Sequence, residues 1–246
     1  MKKLVSLVLA MALPFAAPAD DAAKPAPAKN VVSVYSVEPK PGHAADLEAA
    51  IAAHAKKYHH GEFAWLVASV MSGPNEGKYL LIEGPASWTA FDDRGDFGAE
   101  QMQDYKTTVL PHVASSTPAI YARYHEELST EVGEVSSKAL VLHLELKPGR
   151  GGEAYDALKE WQAIYAKLGL PVEVWQTTFS GQASYVVLFR LKHGLKDFDE
   201  EWPDFRKAAT GLFGPRAYER LQQASADNYS STWNELIEFK ADLGSR

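Results

Sequence analysis

The sequence predicts an α+β protein in which one β-α-β-β-α-β unit occurs twice, with the two resulting sheets packed against each other. The first observation behind this prediction is a repeat, because Lys40-Pro41-Gly42 returns as Lys147-Pro148-Gly149. Further matches follow in unbroken order, from Tyr58 with Tyr165 to the strand-like "YLLI" with "YVVL". The second observation is size, since 246 residues, 46% of them hydrophobic, suffice for two domains of about 100 residues each.

The chain opens with the pattern of a secretory signal peptide at residues 1–19, and an Ala/Pro-rich flexible leader is expected at 20–30. Two lysines precede a short apolar run that ends in Ala17-Pro18-Ala19. No apolar stretch is long enough to span a membrane. The chain contains no cysteine, which excludes disulfides and thiol nucleophiles. These features predict a bacterial periplasmic or secreted protein.

The first repeat, 31–128, reads as strand, helix, two strands, helical region and strand. The strand at 31–37 ends at the Lys-Pro-Gly turn, which stops pairing and leads into a helix. That helix has one buried stripe at spacings of three and four, formed by Leu47, Ile51, His54 and Tyr58. Strands at 63–71 and 78–83 flank a glycine-containing turn, a helical region follows at 87–110, and a strand at 119–127 closes the unit.

A linker at 129–137 leads to the second repeat, 138–243, which has the same order of elements. Its first strand is 139–147, and its helix stripe is formed by Ala154, Leu158, Trp161, Tyr165 and Leu168. Strands at 172–179 and 184–191, a helical region at 195–226 and a strand at 232–240 complete it. The order is that of a ferredoxin-like unit, whose helices cover one face of the sheet and leave the other face in need of a partner.

Because of this order and the duplicated "KPG" start of the first helix, the chain resembles the dimeric α+β barrel superfamily. That superfamily includes antibiotic-biosynthesis-monooxygenase-like, NIPSNAP-like and EthD-like proteins. The resemblance implies an intrachain barrel of two ferredoxin-like halves. Some relatives bind haem through a helix histidine of the second half, but 195–226 contains no histidine, and the remaining helix-end candidate is His112. The sequence therefore identifies no cofactor.

Alternation along the strand 139–147 points to a site between the sheets. Four leucines occupy one face and should meet the helices, so His143 and Glu145 point the other way. The duplication places Ser36 and Glu38 at the equivalent positions. Along the strand 119–127 three polar residues share a face (Tyr121, Arg123, His125), and pairing with the first strand is expected to bring Arg123 beside Glu38.

This set supports two interpretations. In the first, His143, Glu145 and Glu38 are catalytic acids and bases, while Ser36, Arg123, His125 and Tyr121 bind a ligand. In the second, the same residues form cross-strand salt bridges near the barrel rim.

The histidine-rich stretch "HAKKYHHG" invites a metal-binding interpretation, but the repeat favours packing. His54 aligns with Trp161, so His54 should be buried on its sheet, and His59 and His60 should interact with the carbonyl end of the helix. No metal ligand set is predicted. Motifs for nucleotide binding and for hydrolase triads are absent.

Composition and aromatic content define the function classes. The acidic chain, net charge −7, has no Lys/Arg cluster and is not expected to bind nucleic acid. Tryptophans could form the wall of an aromatic pocket or the core; they are Trp65, Trp88, Trp175, Trp202 and Trp233. We expect an exported protein that binds a small hydrophobic or aromatic ligand, as a cofactor-independent monooxygenase-like or isomerase-like enzyme. The alternative is a non-catalytic periplasmic binding or assembly protein, and a homo-oligomer is left open.

Overall fold

The computed structural model describes residues 26–179, 181–199 and 203–246. The predicted signal peptide, most of the predicted leader and Trp202 lie outside these residues. None of the described helices is both long enough and apolar enough to cross a membrane.

The first repeat follows the predicted order of elements. Its strands are β1 (Val31–Pro39), β2 (Trp65–Ser72), β3 (Tyr79–Ala86), β4 (Val113–Ser116) and β5 (Ile120–Tyr124). Its helices are α1 (Ala44–Tyr58), α2 (Trp88–Arg94) and α3 (Ala99–Asp104). The predicted helical region is thus two short helices, followed by a π turn (Tyr105–Val109) and a 3-10 turn (Leu110–His112). The predicted last strand at 119–127 corresponds to β5, and β4 is an additional short strand that was not predicted. Thr117-Pro118-Ala119 separates the two strands, and proline has no N–H to donate to a ladder.

The second repeat is more regular. It contains β6 (Lys138–Leu146), α4 (Gly151–Lys167), β7 (Val172–Phe179), β8 (Ser184–Arg190), α5 (Phe205–Phe213), α6 (Ala217–Asn228) and β9 (Tyr229–Phe239). The turns before α1 and α4 are alike in backbone conformation. Gly42 has φ +82° and Gly149 has φ +79°, a region that side chains disfavour, which explains why glycine ends both "KPG" turns.

The strands close into one barrel. Repeat one has the strand order β5-β1-β3-β2 and repeat two has the order β9-β6-β8-β7, the same permutation. Pairing of β2 with β9 and of β5 with β7 joins the two sheets at both edges, and β4 adds to β1. All pairs are antiparallel, so β1, β2, β6 and β7 run towards one end of the barrel, called here the upper end. The predicted tandem ferredoxin-like barrel is confirmed.

Apolar packing separates the inside of the barrel from the outside. The predicted leucine face of β6 packs with Leu158 and Tyr165 of α4, outside the barrel. The equivalent outer core of repeat one contains Leu47 and Ile51 of α1. The barrel interior is filled by side chains from five strands: Ala68, Val70, Leu80, Ala139, Val141, Val186, Leu188, Ile237 and Phe239. The helices therefore lie outside, and the inner face is largely apolar.

Candidate functional site

His143 and Glu145 lie on the inner face of β6, as the alternation predicts, because they share that face with buried Val141. Ser36 is at the equivalent inner position of β1, opposite Leu80. Since β1 and β6 run in the same direction, Glu38 and Glu145 lie at the same upper end of the barrel. The duplication therefore placed four of the predicted residues correctly with respect to face and end.

His143 makes a close pair with a residue that the sequence did not single out. Its Nε2 lies 3.0 Å from Oε1 of Glu235 on the neighbouring strand β9, and the Glu235 side chain is only 2% exposed. The other carboxylate oxygen accepts a hydrogen bond from Nδ2 of Asn75 at 3.2 Å. The imidazole is stacked on Trp233, with ring centroids 3.7 Å apart and planes 8° apart.

The arrangement sets the orientation of the imidazole. A carboxylate only accepts hydrogen bonds, so Nε2 carries the proton that it donates to Glu235. Nδ1 is then the basic nitrogen, and within the described residues it has no hydrogen-bond partner. The His143 side chain is 22% exposed, so the imidazole is partly open to solvent. A buried carboxylate that orients an imidazole is one established arrangement of a general base.

Repeat one shows that the fold does not need this pair. Pairing registers make Val34 and Val141 equivalent, and their partners are Ile120 in repeat one and Glu235 in repeat two. Ser36 takes the place of His143, and its backbone N–H donates to Thr117 Oγ1 at 2.9 Å. A buried carboxylate thus replaces an isoleucine, at a cost in desolvation that only its partners offset.

The remaining predicted catalytic residues are less enclosed. Glu38 is exposed and accepts a 2.7 Å hydrogen bond from the Ser115 hydroxyl. Glu145 is half-buried, and Ser184 and Ser231 are its strand neighbours. Both glutamates are near the barrel rim.

The prediction that Arg123 lies beside Glu38 is wrong. Arg123 is opposite Val31, seven residues before Glu38, because β5 is antiparallel to β1 and its last residues meet the first residues of β1. Seven strand residues span roughly 23 Å. Arg123 is also on the outer face, opposite Gln176 of β7.

Tyr121 and His125 share this outer placement. Tyr121 packs against Trp88 and Phe91 of α2. His125 is buried, with Nδ1 2.9 Å from Glu127 and Nε2 3.0 Å from Gln176. The hydrogen bond from His125 lowers the pKa of the Glu127 carboxyl. His125 joins the two repeats near the start of β7, where its backbone N–H donates to the Val174 carbonyl. All three side chains lie outside the barrel and are separate from the His143 site.

Two open grooves, of about 590 and 610 Å³, also lie at the lower end, next to the linker. Tyr124, Trp175 and Glu173 line the first, and Gln162 and Lys192 line part of the second. Neither groove is lined by His143, Glu145 or Glu38.

A second polar cluster lies outside the barrel, between α1, α2, α3 and the outer face of β3. As predicted, His54 is buried, and its Nδ1 is 2.8 Å from Asp104. His59 is also buried, contrary to the predicted contact with the carbonyl end of α1. The chain leaves α1 at His59 in an extended conformation, which turns this ring onto Trp65 at 3.8 Å, with Nδ1 3.2 Å from Glu83. His60 does meet the helix end, 3.3 Å from the Lys57 carbonyl.

Aromatic rings and an arginine enclose this cluster. The Arg94 guanidinium forms an ion pair with Glu83 and lies over Phe63, Phe91 and Phe97. Burial lowers the pKa of the His54 imidazole, although the hydrogen bond to Asp104 acts in the opposite direction. Burial also raises the pKa of Tyr35 well above its usual value.

The repeat comparison could have revealed this cluster in the sequence. Strand pairing makes Trp65 and Glu83 equivalent to Val172 and Phe189, which pack in the apolar outer core of repeat two. A charged residue at the position of an apolar one is the signal that was missed.

Comparisons with known proteins agree with this fold. No protein-family model matches the sequence, and no curated protein matches it. Among solved structures, an anthrone oxidase-like protein superposes with a TM-score of 0.58 at 13% identity, covering 87% of this chain and 92% of the other. A candidate monooxygenase from Fusobacterium nucleatum gives 0.54 at 11% identity, covering 85% and 91%.

A variant of the chlorite dismutase from Candidatus Nitrospira defluvii gives a TM-score of 0.51 at 9% identity, covering 87% of this chain and 92% of the other. At these identities the likeness concerns the fold. The chain has the fold of the dimeric α+β barrel superfamily, with both ferredoxin-like halves in one polypeptide.

Proposed function

We propose that the chain is an exported, cofactor-independent enzyme that acts on a small hydrophobic or aromatic compound at the upper end of the barrel. The observation that carries this proposal is the pair of His143 with Glu235, a buried carboxylate that orients a partly exposed imidazole. Export rests on the signal-like order of residues 1–19.

The proposed chemistry follows from Nδ1 of His143, the imidazole nitrogen that Glu235 does not contact. Nδ1 of His143 removes a proton from an activated carbon of the substrate, and Glu235 stabilises the imidazolium that forms. Trp233, stacked on the imidazole, favours a flat, apolar substrate. Glu145, on the same strand and face, is a second group that can accept or return a proton.

Two outcomes are open to the resulting carbanion. If it is delocalised into an aromatic system, it transfers electrons to O₂ directly, and the oxygenated product loses water in a monooxygenase-like reaction. If O₂ does not react, returning the proton to a different carbon gives an isomerase-like reaction. Both start with the same proton transfer, so His143 carries both.

Anthrone is a suitable probe, because its methylene group is acidic and one solved structure of this fold is named anthrone oxidase-like. Anthrone and O₂ give anthraquinone and water, a change that absorbance follows directly. His143→Ala and Glu235→Gln should each lower the rate by more than about tenfold. Lys159→Ala, on the exposed side of α4, is the control and should retain the wild-type rate. Equal rates in all four proteins, or no turnover above the buffer rate, would contradict the proposal for this substrate class.

A non-catalytic binding or assembly role is the second candidate, and the filled barrel interior favours it. Exposed aromatic side chains provide a contact surface for such a role, since Phe179 is 62% and Trp88 is 38% exposed, with ring centroids 5.4 Å apart. Native mass spectrometry of protein purified from its source distinguishes the two. A retained small molecule that His143→Ala loses supports a ligand site at His143, and anthrone turnover then separates an enzyme from a binding protein. A stable complex with another protein chain supports the assembly role.

A further inference from the structure

Three potential metal ligands converge on the outer surface of repeat one, at the start of α1. His43 directly precedes the helix, Asp46 is in its first turn, and His112 ends the 3-10 turn before β4. Nδ1 of His43 lies 3.1 Å from Oδ2 of Asp46 and 3.5 Å from Nδ1 of His112. The third side of the triangle, from His112 Nδ1 to Asp46 Oδ2, is 4.0 Å.

These separations match one face of a metal coordination tetrahedron. Bonds of about 2.0–2.1 Å to nitrogen and oxygen place tetrahedral ligands roughly 3.3 Å apart. The three observed distances scatter around that value. The largest departure is the 4.0 Å side, so coordination requires His112 Nδ1 and Asp46 Oδ2 to approach each other by roughly 0.7 Å.

Hydrogen bonding alone explains the convergence poorly. Two imidazole Nδ1 atoms that face each other can share at most one proton, and 3.5 Å is long for such a bond. Asp46 accepts a hydrogen bond from His43 at 3.1 Å, and in the part of the chain that the structure describes Nδ1 of His112 has no hydrogen-bond contact shorter than 3.5 Å. One cation would satisfy all three lone pairs.

The backbone holds the two ligand-bearing segments together. Lys40 N–H donates to the His112 carbonyl at 2.9 Å, and Lys40 Nζ donates to the Pro111 carbonyl at 2.7 Å. The ligands are therefore preorganised by a junction that does not involve their side chains.

Repeat two contains the same junction without the ligands. Lys147 N–H donates to the Asn228 carbonyl at 2.8 Å, and Lys147 Nζ donates to the Ala226 carbonyl at 2.8 Å. The side chains equivalent to His43 and Asp46 are Arg150 and Glu153, which form an ordinary exposed ion pair at 3.3 Å. The fold thus requires the junction, whereas the two histidines belong to repeat one alone.

We propose that His43, Asp46 and His112 bind one divalent first-row transition metal ion. Two imidazoles with one carboxylate suit zinc, cobalt, nickel or copper better than magnesium or calcium, which prefer oxygen ligands. The three side chains are 47%, 59% and 28% exposed, so water occupies the fourth position. The site is independent of the proposed function, because none of its ligands belongs to the His143 pair.

Titration of the untagged, metal-free protein with Zn²⁺ in a calorimeter tests the proposal, and Co²⁺ absorbance reports the geometry. Wild type should bind one ion, with the intense visible bands of tetrahedral Co²⁺. His43→Ala and His112→Ala should each weaken binding at least tenfold and remove those bands. Arg150→Ala, at the matching position of repeat two, and His193→Ala, in an exposed pair with Asp197, should bind within about twofold of wild type.

A second measurement separates loss of the site from loss of the fold. Without metal, the ligand variants should melt close to the wild-type temperature, because His43 is exposed and His112 is only partly buried. Zn²⁺ should raise the melting temperature of wild type and of both controls, but not of the ligand variants. Absence of binding to wild type, or equal binding by wild type and His112→Ala, overturns the proposal.

Discussion

Exchanging the His143–Glu235 pair for its repeat-one counterpart should show strong energetic coupling. The changes are His143→Ser and Glu235→Ile, which copy Ser36 and Ile120. Alone, His143→Ser leaves the Glu235 carboxylate, which is 2% exposed, with Asn75 as its remaining partner. This should lower the free energy of unfolding by about 2–3 kcal/mol. Glu235→Ile alone costs about 1 kcal/mol, because His143 is partly exposed and water can replace the lost acceptor.

The double variant removes both problems. It leaves neither a buried charge nor an unpaired imidazole, so its loss of stability should be about 1 kcal/mol or less, and the coupling energy about 2 kcal/mol. Urea unfolding measures these stability differences. The free energy of unfolding falls by about 1–3 kcal/mol per molar urea, so a difference of about 2 kcal/mol corresponds to a shift of roughly 1 M in the unfolding midpoint.

The control cycle combines Glu235→Ile with Lys159→Ala on the exposed face of α4 and should be additive. If His143→Ser and Glu235→Ile are also additive, to within about 0.5 kcal/mol, the two side chains do not interact as described and the reasoning fails.

Three further predictions concern other parts of the molecule. Burial lowers the pKa of the His54 imidazole, so the native state binds a proton there less readily than the unfolded chain does. The free energy of unfolding should therefore fall as the pH drops below about 6.5, by up to roughly 1.4 kcal/mol per pH unit. Urea unfolding of His54→Phe at several pH values should lack this contribution. Gly73→Ala should lower the free energy of unfolding by more than about 2 kcal/mol in thermal melts, because φ is +101° and the added Cβ would lie 2.8 Å from the Asn234 carbonyl oxygen. The control Gly77→Ala, with φ +84° and open space around the added Cβ, should lower it by about 1 kcal/mol. Mass spectrometry of the exported protein should find Asp20 at its start, and an intact Met1 would contradict the predicted cleavage.

Local patterns were sufficient for the architecture. The repeated Lys-Pro-Gly turn, the helix stripes and the alternation along β6 predicted two ferredoxin-like repeats and the inner position of His143. These features depend on residues close together in the chain, where periods of 2 and 3.6 decide which side of an element faces the core. Burial of His54 was predictable for the same reason, because Trp161 marks the equivalent position.

The partners of the site residues depended on the tertiary structure. Glu235 is far from His143 in sequence and meets it only because β9 pairs with β6 in one register. Arg123 was misplaced because strand direction and the break after β4 set its position. Likewise, His59 meets Glu83 and His43 meets His112 through chain segments that only the folded barrel brings together. A sequence pattern specifies which face a side chain occupies, whereas register and crossing geometry, set by packing over the whole domain, decide which atoms it touches.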